Sequence, residues 1–362
     1  MAVSSVPKPT TLTRHREVLT ILGFAILFWI VVYSVFAFNR LDWVAESDTG
    51  DYWSASERLG EFPTIEMPGY PILIAIVRSL LPLQFVVLGL QIIGLISYVA
   101  SVGIMYYTLK AMRLRLAYVG AFLFGLYPLV ALTNAVAPRV NGILLLTITV
   151  AIFAYTTKRN RLLLVVLSIA MLLHKSAWPY VVLLLLLGLF ERRLRLVEAA
   201  SVFIPFGIYW LLGANHHGDA LWLVQRSYAV QFAPRSSWLL LEGLLSSFSD
   251  GFRGSLPDLI KGGLLLGQLT IALFLIGSGI WKTHRFLLAL LIPPILFGLT
   301  LNQMQILATV NYSTYLAVPI TVFLSEKRFS LTRQAWAWVL ILSFCFASQL
   351  LYAIYVVSFL RS

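Results

Sequence analysis

The sequence predicts an all-α fold, a single polytopic bundle of transmembrane helices over residues 1–362 with no soluble C-terminal domain. Hydrophobic residues make up 59% of the chain and charged residues only 12%, whereas a soluble domain has about twice that charged fraction. Apolar runs begin near Val18 and continue to Leu360. Basic residues cluster in the short segments between these runs, as they do in the cytoplasmic loops of membrane proteins.

These basic clusters account for the net charge of +12. Six of them fall on one face of the predicted bundle: Lys8/Arg14/Arg16, Lys110/Arg113/Arg115, Lys158/Arg159/Arg161, Arg192/Arg193/Arg195, Lys282/Arg285 and Lys327/Arg328/Arg333. Because Lys and Arg are enriched on the cytoplasmic side, the clusters predict a cytoplasmic N-terminus, about eleven spans and an outer C-terminus. The same distribution explains the positive charge without a nucleic-acid partner.

Each predicted span is an apolar run bounded by polar or charged segments. In chain order the spans are 18–38, 84–109, 116–133, 142–157, two short helices within 162–190, 197–213, 263–281, 286–300, 311–324 and 335–358. The first run has a basic lead but no small-residue cleavage site, so we expect an uncleaved helix rather than a signal peptide. The single cysteine, Cys345, leaves no disulfide within the chain.

Some apolar runs are too short, or too polar, to be spans. The run 69–81 cannot cross about 30 Å of hydrocarbon, so it predicts an interfacial helix in the first outer loop. Similar helices are expected at 220–233 and 237–248, in the fourth outer loop. The run 162–190 is divided by His174-Lys175-Ser176, because a lysine at the bilayer centre would cost at least about 2.5 kcal/mol.

The first outer loop, 39–68, is the most acidic part of the chain. Its acids are Asp42, Glu46, Asp48, Asp51, Glu57, Glu61 and Glu66. Asp48 and Asp51 are three residues apart, so a helix that starts at Ser47 or Asp48 would place both on one face. Two interpretations remain open on this spacing alone: a catalytic pair, or a capped interfacial helix with a solvated acidic face.

The loop contains a motif that extends beyond its acids. It reads Asp48-x-x-x-Tyr52-x-x-x-Ser56-x-x-Leu59-x-x-x-Phe62, followed by Met67-Pro68-Gly69-Tyr70-Pro71. This pattern resembles the first outer loop of the GT-C superfamily of membrane glycosyltransferases, in particular the branch with protein O-mannosyltransferases and aminoarabinose transferases. Late in the chain, Asn311-Tyr312-x-x-Tyr315-Leu316-Ala317-Val318-Pro319 resembles a helix of that branch. Thr49, Met67 and Asn311 depart from its usual residues.

The resemblance implies an enzyme that transfers a sugar from a polyprenyl-phosphate donor to a hydroxyl of a lipid, glycan or protein. The site would face outward from a membrane, which we expect to be a bacterial cytoplasmic membrane. Asp48 stands where the resembling loops carry their catalytic acidic residue, so it is the expected general base of an inverting displacement. Asp51 is its neighbour on the predicted helix. One carboxylate suffices because the leaving phosphate needs no proton.

A leaving phosphate needs positive charge nearby. The candidates are Lys175 and Arg139, at tight outer turns, and Arg58; each of them can equally be a headgroup anchor. The candidate substrate-pocket residues are Tyr52, Trp53, Tyr70, His174, Asn311 and Tyr312. Adjacent histidines rarely reach one ion, so His216-His217 with Asp219 is not expected to bind metal, and no metal or other cofactor is expected.

Two other functions remain as alternatives. A membrane polysaccharide polymerase would share the chemistry but use a longer lipid-linked glycan. A lipid or solute transporter would place ionisable residues at mid-membrane in broken helices. Nearly all charges of this chain map to the ends of predicted spans, which disfavours the transporter.

Overall fold

The structure is a computed structural model, and it describes residues 11–36, 48–62, 67–127, 130, 140–223, 267, 269–300, 306–326, 339 and 343. Every regular element in these ranges is a helix, as the composition predicted. The α-helices are α1 Thr11–Phe36, α2 Asp48–Glu57, α3 Gly69–Leu80, α4 Leu83–Ala111, α5 Ala117–Leu126, α6 Asn141–Thr156, α7 Asn160–Leu173, α8 Trp178–Phe190, α9 Leu196–Ser201, α10 Ile204–His217, α11 Ile280–Thr283, α12 Leu287–Thr300 and α13 Ile306–Ser325. Two 3₁₀ turns occupy Leu59–Glu61 and Lys175–Ala177.

Two helices of the described chain are long and apolar enough to cross a membrane, Arg16–Ser34 within α1 and Leu83–Ala111. The other apolar helical segments found in these ranges have 10–17 residues, among them Thr314–Ser325 within α13. A span of straight helix needs about 20 residues, so the predicted count of about eleven spans stays a prediction. The predicted span 335–358 lies almost wholly outside the described residues, and so does the predicted helix 237–248.

One end of the bundle gathers most of the basic clusters, and we call it the basic end. It comprises Arg16–Glu17, Tyr106–Arg115, Tyr155–Arg161, Phe190–Arg195, His284–Phe286 and Ser325–Glu326. At this end Lys110 Nζ lies 3.3 Å from Glu17 Oε2, and the Tyr106 hydroxyl also donates to that carboxylate. These contacts set the start of α1 beside the end of α4.

The other loops of the basic end are joined in the same way. Arg193 Nη1 donates to the Tyr155 carbonyl at 3.0 Å, and Asn160 Nδ2 donates to the Arg193 carbonyl at 2.8 Å. His284 Nε2 lies 2.9 Å from Glu326 Oε1, which ties the loop before α12 to the end of α13. The helix ends that these contacts join therefore lie at the same end of the bundle, as they do in an up-and-down bundle.

The opposite end carries the acidic loop, and we call it the acidic end. It comprises α2, Leu59–Phe62, Met67–Pro71, His174–Trp178 and His216–Leu223. Because α7 starts at Asn160 on the basic end and rises about 1.5 Å per residue, its last residue Leu173 lies about 20 Å away. The turn that follows α7 is thus at the acidic end.

Three boundaries test the sequence reasoning. The break at His174 was predicted correctly, since α7 ends at Leu173 and α8 begins at Trp178. The helix predicted through residue 133 instead ends at Leu126, because Tyr127 precedes Pro128 and is extended, as residues before proline tend to be. The helix predicted over 197–213 is wrong as one piece: Pro205 cannot donate a backbone hydrogen bond, so a new helix starts there.

Candidate functional site

Within the acidic loop, residues 48–57 form a short helix, α2, that packs against α3. Asp48 is its first residue, and negatively charged residues in the first turn stabilise a helix. Tyr52 and Tyr70 are each only 2% exposed, and their rings meet edge to face at 5.1 Å between centroids. These two rings hold α2 on α3. Asp51 lies on the exposed surface of α2, while the side chain of Asp48 is outside the described part of the chain.

A second contact between the two helices is polar and centres on Arg78 of α3. Its Nη1 lies 3.0 Å from Glu57 Oε1 and 3.2 Å from Ser56 Oγ. Its guanidinium carbon stands 4.8 Å from the centroid of the Trp53 ring, and Trp53 Nε1 donates to Glu57 Oε1 at 3.1 Å. One arginine thus holds three residues of the last two turns of α2.

The start of α3 approaches the end of α7 without space for a side chain. A Cβ on Gly69 would lie 2.8 Å from the Leu172 carbonyl oxygen and 3.1 Å from Leu173 Cα. Both are backbone atoms, so they could not move aside without shifting α7. The close approach brings the first outer loop directly against the turn that contains His174 and Lys175.

That turn is held by its own side chains. His174 is extended, and its Nδ1 accepts the Ser176 N–H at 3.1 Å and lies 2.7 Å from Ser176 Oγ. Using Nδ1 as an acceptor leaves the proton of the neutral ring on Nε2. Trp178 Nε1 donates to the Met171 carbonyl at 3.1 Å and closes the turn from the other side. Lys175 is half-buried between two helix ends.

α13 also approaches the same turn. It contacts the 3₁₀ turn Lys175–Ala177, and Tyr315 packs edge-on against Tyr180 at 4.7 Å. Asn311 lies one helical turn before Tyr315, toward the acidic end. The backbones of Asn311 and Tyr312 are helical, and their side chains are outside the described residues.

A hydrophobic cluster covers the remaining side of the loop. Met67, Trp222 and Leu223 are its buried centre, and Phe62, Trp178, Phe206, Tyr209, Trp210 and Ala214 pack around them. His217 Nε2 donates to the Phe62 carbonyl at 2.9 Å, and its ring stacks on Trp222. Phe62 has φ 49°, a strained value for a bulky side chain. His217 therefore links the first outer loop to the end of α10.

The structure brings most of the predicted site residues to one end of the bundle. Those with described side chains are Asp51, Tyr52, Trp53, Arg58, Tyr70, His174 and Lys175. Arg58 is exposed at the end of α2, and Arg139 lies outside the described residues. Tyr52 and Tyr70 serve the α2–α3 contact, so their place in a substrate pocket stays a prediction.

Sequence reasoning missed the arginine contact and the link from Phe62 to His217. The four-residue spacing of Trp53 and Glu57 could have indicated their hydrogen bond, but nothing local identifies Arg78 as their partner. Among the described residues no group of three or more His, Cys, Asp or Glu side chains is placed to hold a metal ion.

Comparisons with protein-family models, with curated proteins and with solved structures found no match to this chain. The functional assignment therefore depends on the residues and on the geometry of the two ends.

Proposed function

We propose that the protein is an integral membrane protein of about eleven spans with the basic end in the cytoplasm. Large apolar side chains are exposed along the described helices, among them Ile26, Leu27, Ile30 and Val31 of α1. Soluble monomers rarely expose contiguous apolar surface of this kind, and lipid would cover it. The separation of the basic clusters from the acidic loop supports the orientation.

The orientation can be tested with single cysteines in a Cys345→Ser background. In sealed cells, an impermeant thiol reagent should label a cysteine at Glu61, on the acidic end, and should not label one at Asn160, on the basic end. Both positions should react after the membrane is permeabilised. Labelling at 160 in sealed cells would reverse the proposed orientation.

We further propose that the acidic end is the active site of a glycosyltransferase of the GT-C type, which uses a lipid-linked sugar as its donor. One observation carries this proposal. At Gly69 the loop that follows the carboxylate helix α2 lies in backbone contact with the end of α7, next to Lys175. A carboxylate helix and a half-buried cation supplied by distant parts of the chain are the two groups that this transfer requires.

In the proposed reaction the acceptor hydroxyl attacks the anomeric carbon of the donor. A bond forms between that carbon and the acceptor oxygen, and the bond to the phosphate oxygen breaks, with inversion. Asp48 accepts the proton of the hydroxyl. Lys175 stabilises the charge that develops on the leaving polyprenyl phosphate, and the His174–Ser176 hydrogen bonds keep the turn that carries Lys175 in place.

The experiment is a transfer assay with protein reconstituted in vesicles. Polyprenyl-phosphate sugars should act as donors, and free nucleotide sugars should not. Transfer from polyprenyl-diphosphate glycans, with growth of the glycan, would instead identify a polysaccharide polymerase. No transfer from either class of lipid-linked donor, across a panel of hydroxyl acceptors, would contradict the proposal, and protein-free vesicles provide the background rate.

A further inference from the structure

Three turns at the basic end repeat one backbone arrangement. The helices α4, α6 and α8 are each followed, two residues later, by a residue in the left-handed conformation. These residues are Arg113 with φ 59°, Lys158 with φ 59° and Arg192 with φ 55°. They are three of the four non-glycine residues with positive φ in the described chain, and the fourth is Phe62 at the acidic end.

The hydrogen bonds of the three turns are the same. The left-handed residue donates its N–H to a carbonyl three residues back, and the next residue donates to one five residues back, which is a Schellman motif. The pairs are Arg113 to Lys110 at 2.9 Å with Leu114 to Leu109 at 3.1 Å, Lys158 to Tyr155 at 3.2 Å with Arg159 to Ala154 at 2.8 Å, and Arg192 to Leu189 at 2.9 Å with Arg193 to Gly188 at 2.9 Å.

The residue type at these positions is unusual. Glycine is the common residue in a Schellman motif, because a Cβ in the left-handed conformation crowds the backbone carbonyl. Gly279, two residues after the helical segment 269–277, has φ 72° and donates to a carbonyl three residues back, as the left-handed residue of that motif does. Arg113, Lys158 and Arg192 therefore stand where the backbone alone would favour glycine.

Their side chains do not serve the described fold. All three are exposed, and none makes a hydrogen bond or an ion pair within the described part of the chain. The turns are neighbours: Arg193 donates to the Tyr155 carbonyl, which joins the second and third turns, and α4 packs along α6. Three cations are thus presented together at one surface.

Apolar side chains flank this surface. Phe190, Leu196 and Val197 are 75%, 73% and 81% exposed and lie within five residues of Arg192 in the chain. Exposed apolar groups beside exposed cations match the boundary between lipid acyl chains and headgroups. A soluble polyanion would neutralise the cations and leave the apolar groups in water.

We propose that Arg113, Lys158 and Arg192 form a docking surface for the headgroups of anionic phospholipids in the leaflet next to the basic end. The phosphate of each headgroup accepts hydrogen bonds from these side chains. This inference requires the membrane placement proposed above but is independent of the transferase chemistry, so transfer activity and lipid binding can fail separately.

The test measures thermal unfolding of the full-length protein in neutral detergent while phosphatidylglycerol is added at low ionic strength. Phosphatidylcholine is the neutral comparison. The variant Arg113→Gly/Lys158→Gly/Arg192→Gly removes the Cβ atoms that crowd the backbone in the three left-handed turns. Without lipid its Tm should therefore rise by about 5 °C. It should also need about 100-fold more phosphatidylglycerol for half of the stabilisation seen with the natural chain.

A matched variant removes the same charge elsewhere on the basic end. Arg115→Gln/Arg161→Gln/Arg195→Gln changes three exposed arginines without positive φ, and it should keep most of the phosphatidylglycerol response. An equal loss in both variants would mean that bulk charge alone attracts the lipid and would overturn the proposal. A lower Tm of the glycine variant without lipid would overturn it too, because the cations would then stabilise the helix ends.

If phosphatidylglycerol does not stabilise the natural chain, the surface does not bind anionic lipid. Stabilisation by heparin in that case would point to a soluble polyanion as its partner.

Discussion

The two ends of the bundle use charged residues differently. At the basic end, carboxylates pair with neighbouring cations: Glu17 with Lys110, Glu191 with Arg193 at 2.7 Å, and Glu326 with His284. The Glu17–Lys110 pair joins α1 to α4, and the other two pairs hold loops at this end. At the acidic end, aromatic contacts, the backbone contact at Gly69 and the partly exposed Arg78–Glu57 pair hold the elements together, and α2 presents an exposed Asp51.

This difference supports the proposal that the active site lies at the acidic end. Ion pairs that close loops stabilise the fold, and their removal should change stability without changing a reaction. The helix α2 is held in place by the buried Tyr52 and Tyr70 and by Arg78, and the catalytic carboxylate that we propose on it would require such positioning.

Among the contacts that hold the two ends, the largest effect is expected at the backbone contact of the acidic end. Gly69→Ala places a Cβ 2.8 Å from the Leu172 carbonyl oxygen, so α3 and the turn after α7 must separate. A displacement near 1 Å can reduce a rate about 10²-fold, and we expect a loss of that size in the transfer assay. Gly60→Ala, at the same end but with nothing within 4 Å, is the control and should keep its rate.

A loss of similar size in both glycine variants would mean that this end is generally intolerant of change. Full activity of Gly69→Ala would show that the contact with α7 does not position the site. Thermal unfolding of both variants separates misfolding from loss of function.

A somewhat smaller effect is expected at the cation of the turn. Lys175→Ala removes the proposed partner of the leaving phosphate, and we expect kcat to fall by about 10- to 100-fold with Tm nearly unchanged. Lys282→Ala, two residues before the basic-end segment His284–Phe286, removes the same charge and should leave kcat unaltered. If Lys175→Ala transfers sugar at the normal rate, Lys175 is a headgroup anchor.

The arginine contact between α2 and α3 should show the smallest effect. Arg78→Lys keeps the charge but loses the planar group that lies over Trp53 and reaches both Glu57 and Ser56. Because Arg78 and Glu57 are 28% and 48% exposed, the pair contributes only about 0.2–1 kcal/mol to the free energy of unfolding. We expect a rate loss of about tenfold or less, measured beside Arg161→Lys as the basic-end control.

The fold class and the division of 162–190 could be read from the sequence because both depend on local signals. The triplet His174-Lys175-Ser176 within a long apolar run predicts a break in the helix, because a lysine at the bilayer centre is costly. The helix end at Leu126 and the helix start at Pro205 were also visible as proline signals, but long hydrophobic runs outweighed them. Hydrophobicity identifies where a segment can be buried and does not say where its helix stops.

The assembly of the acidic end could not be read in this way. Arg78 meets Glu57 only because α2 folds back on α3, and Gly69 meets Leu172 across about 100 residues of chain. Such contacts depend on tertiary packing. The left-handed turns at Arg113, Lys158 and Arg192 were missed for another reason, since sequence rules look for glycine there.

We propose that Asp48 acts as the base of a sugar transfer at the acidic end, and one pair of variants tests this role directly. Asp48→Asn keeps the shape of the side chain and removes the proton acceptor, whereas Asp51→Asn makes the same change one helical turn later. The measurement is the transfer rate of both variants in membranes at matched protein levels, with donor binding measured separately. The account predicts a loss of about 10²-fold or more for Asp48→Asn with donor binding intact, and a smaller loss for Asp51→Asn. Full activity of both variants would contradict it, and an inactive Asp51→Asn beside an active Asp48→Asn would reverse the two roles.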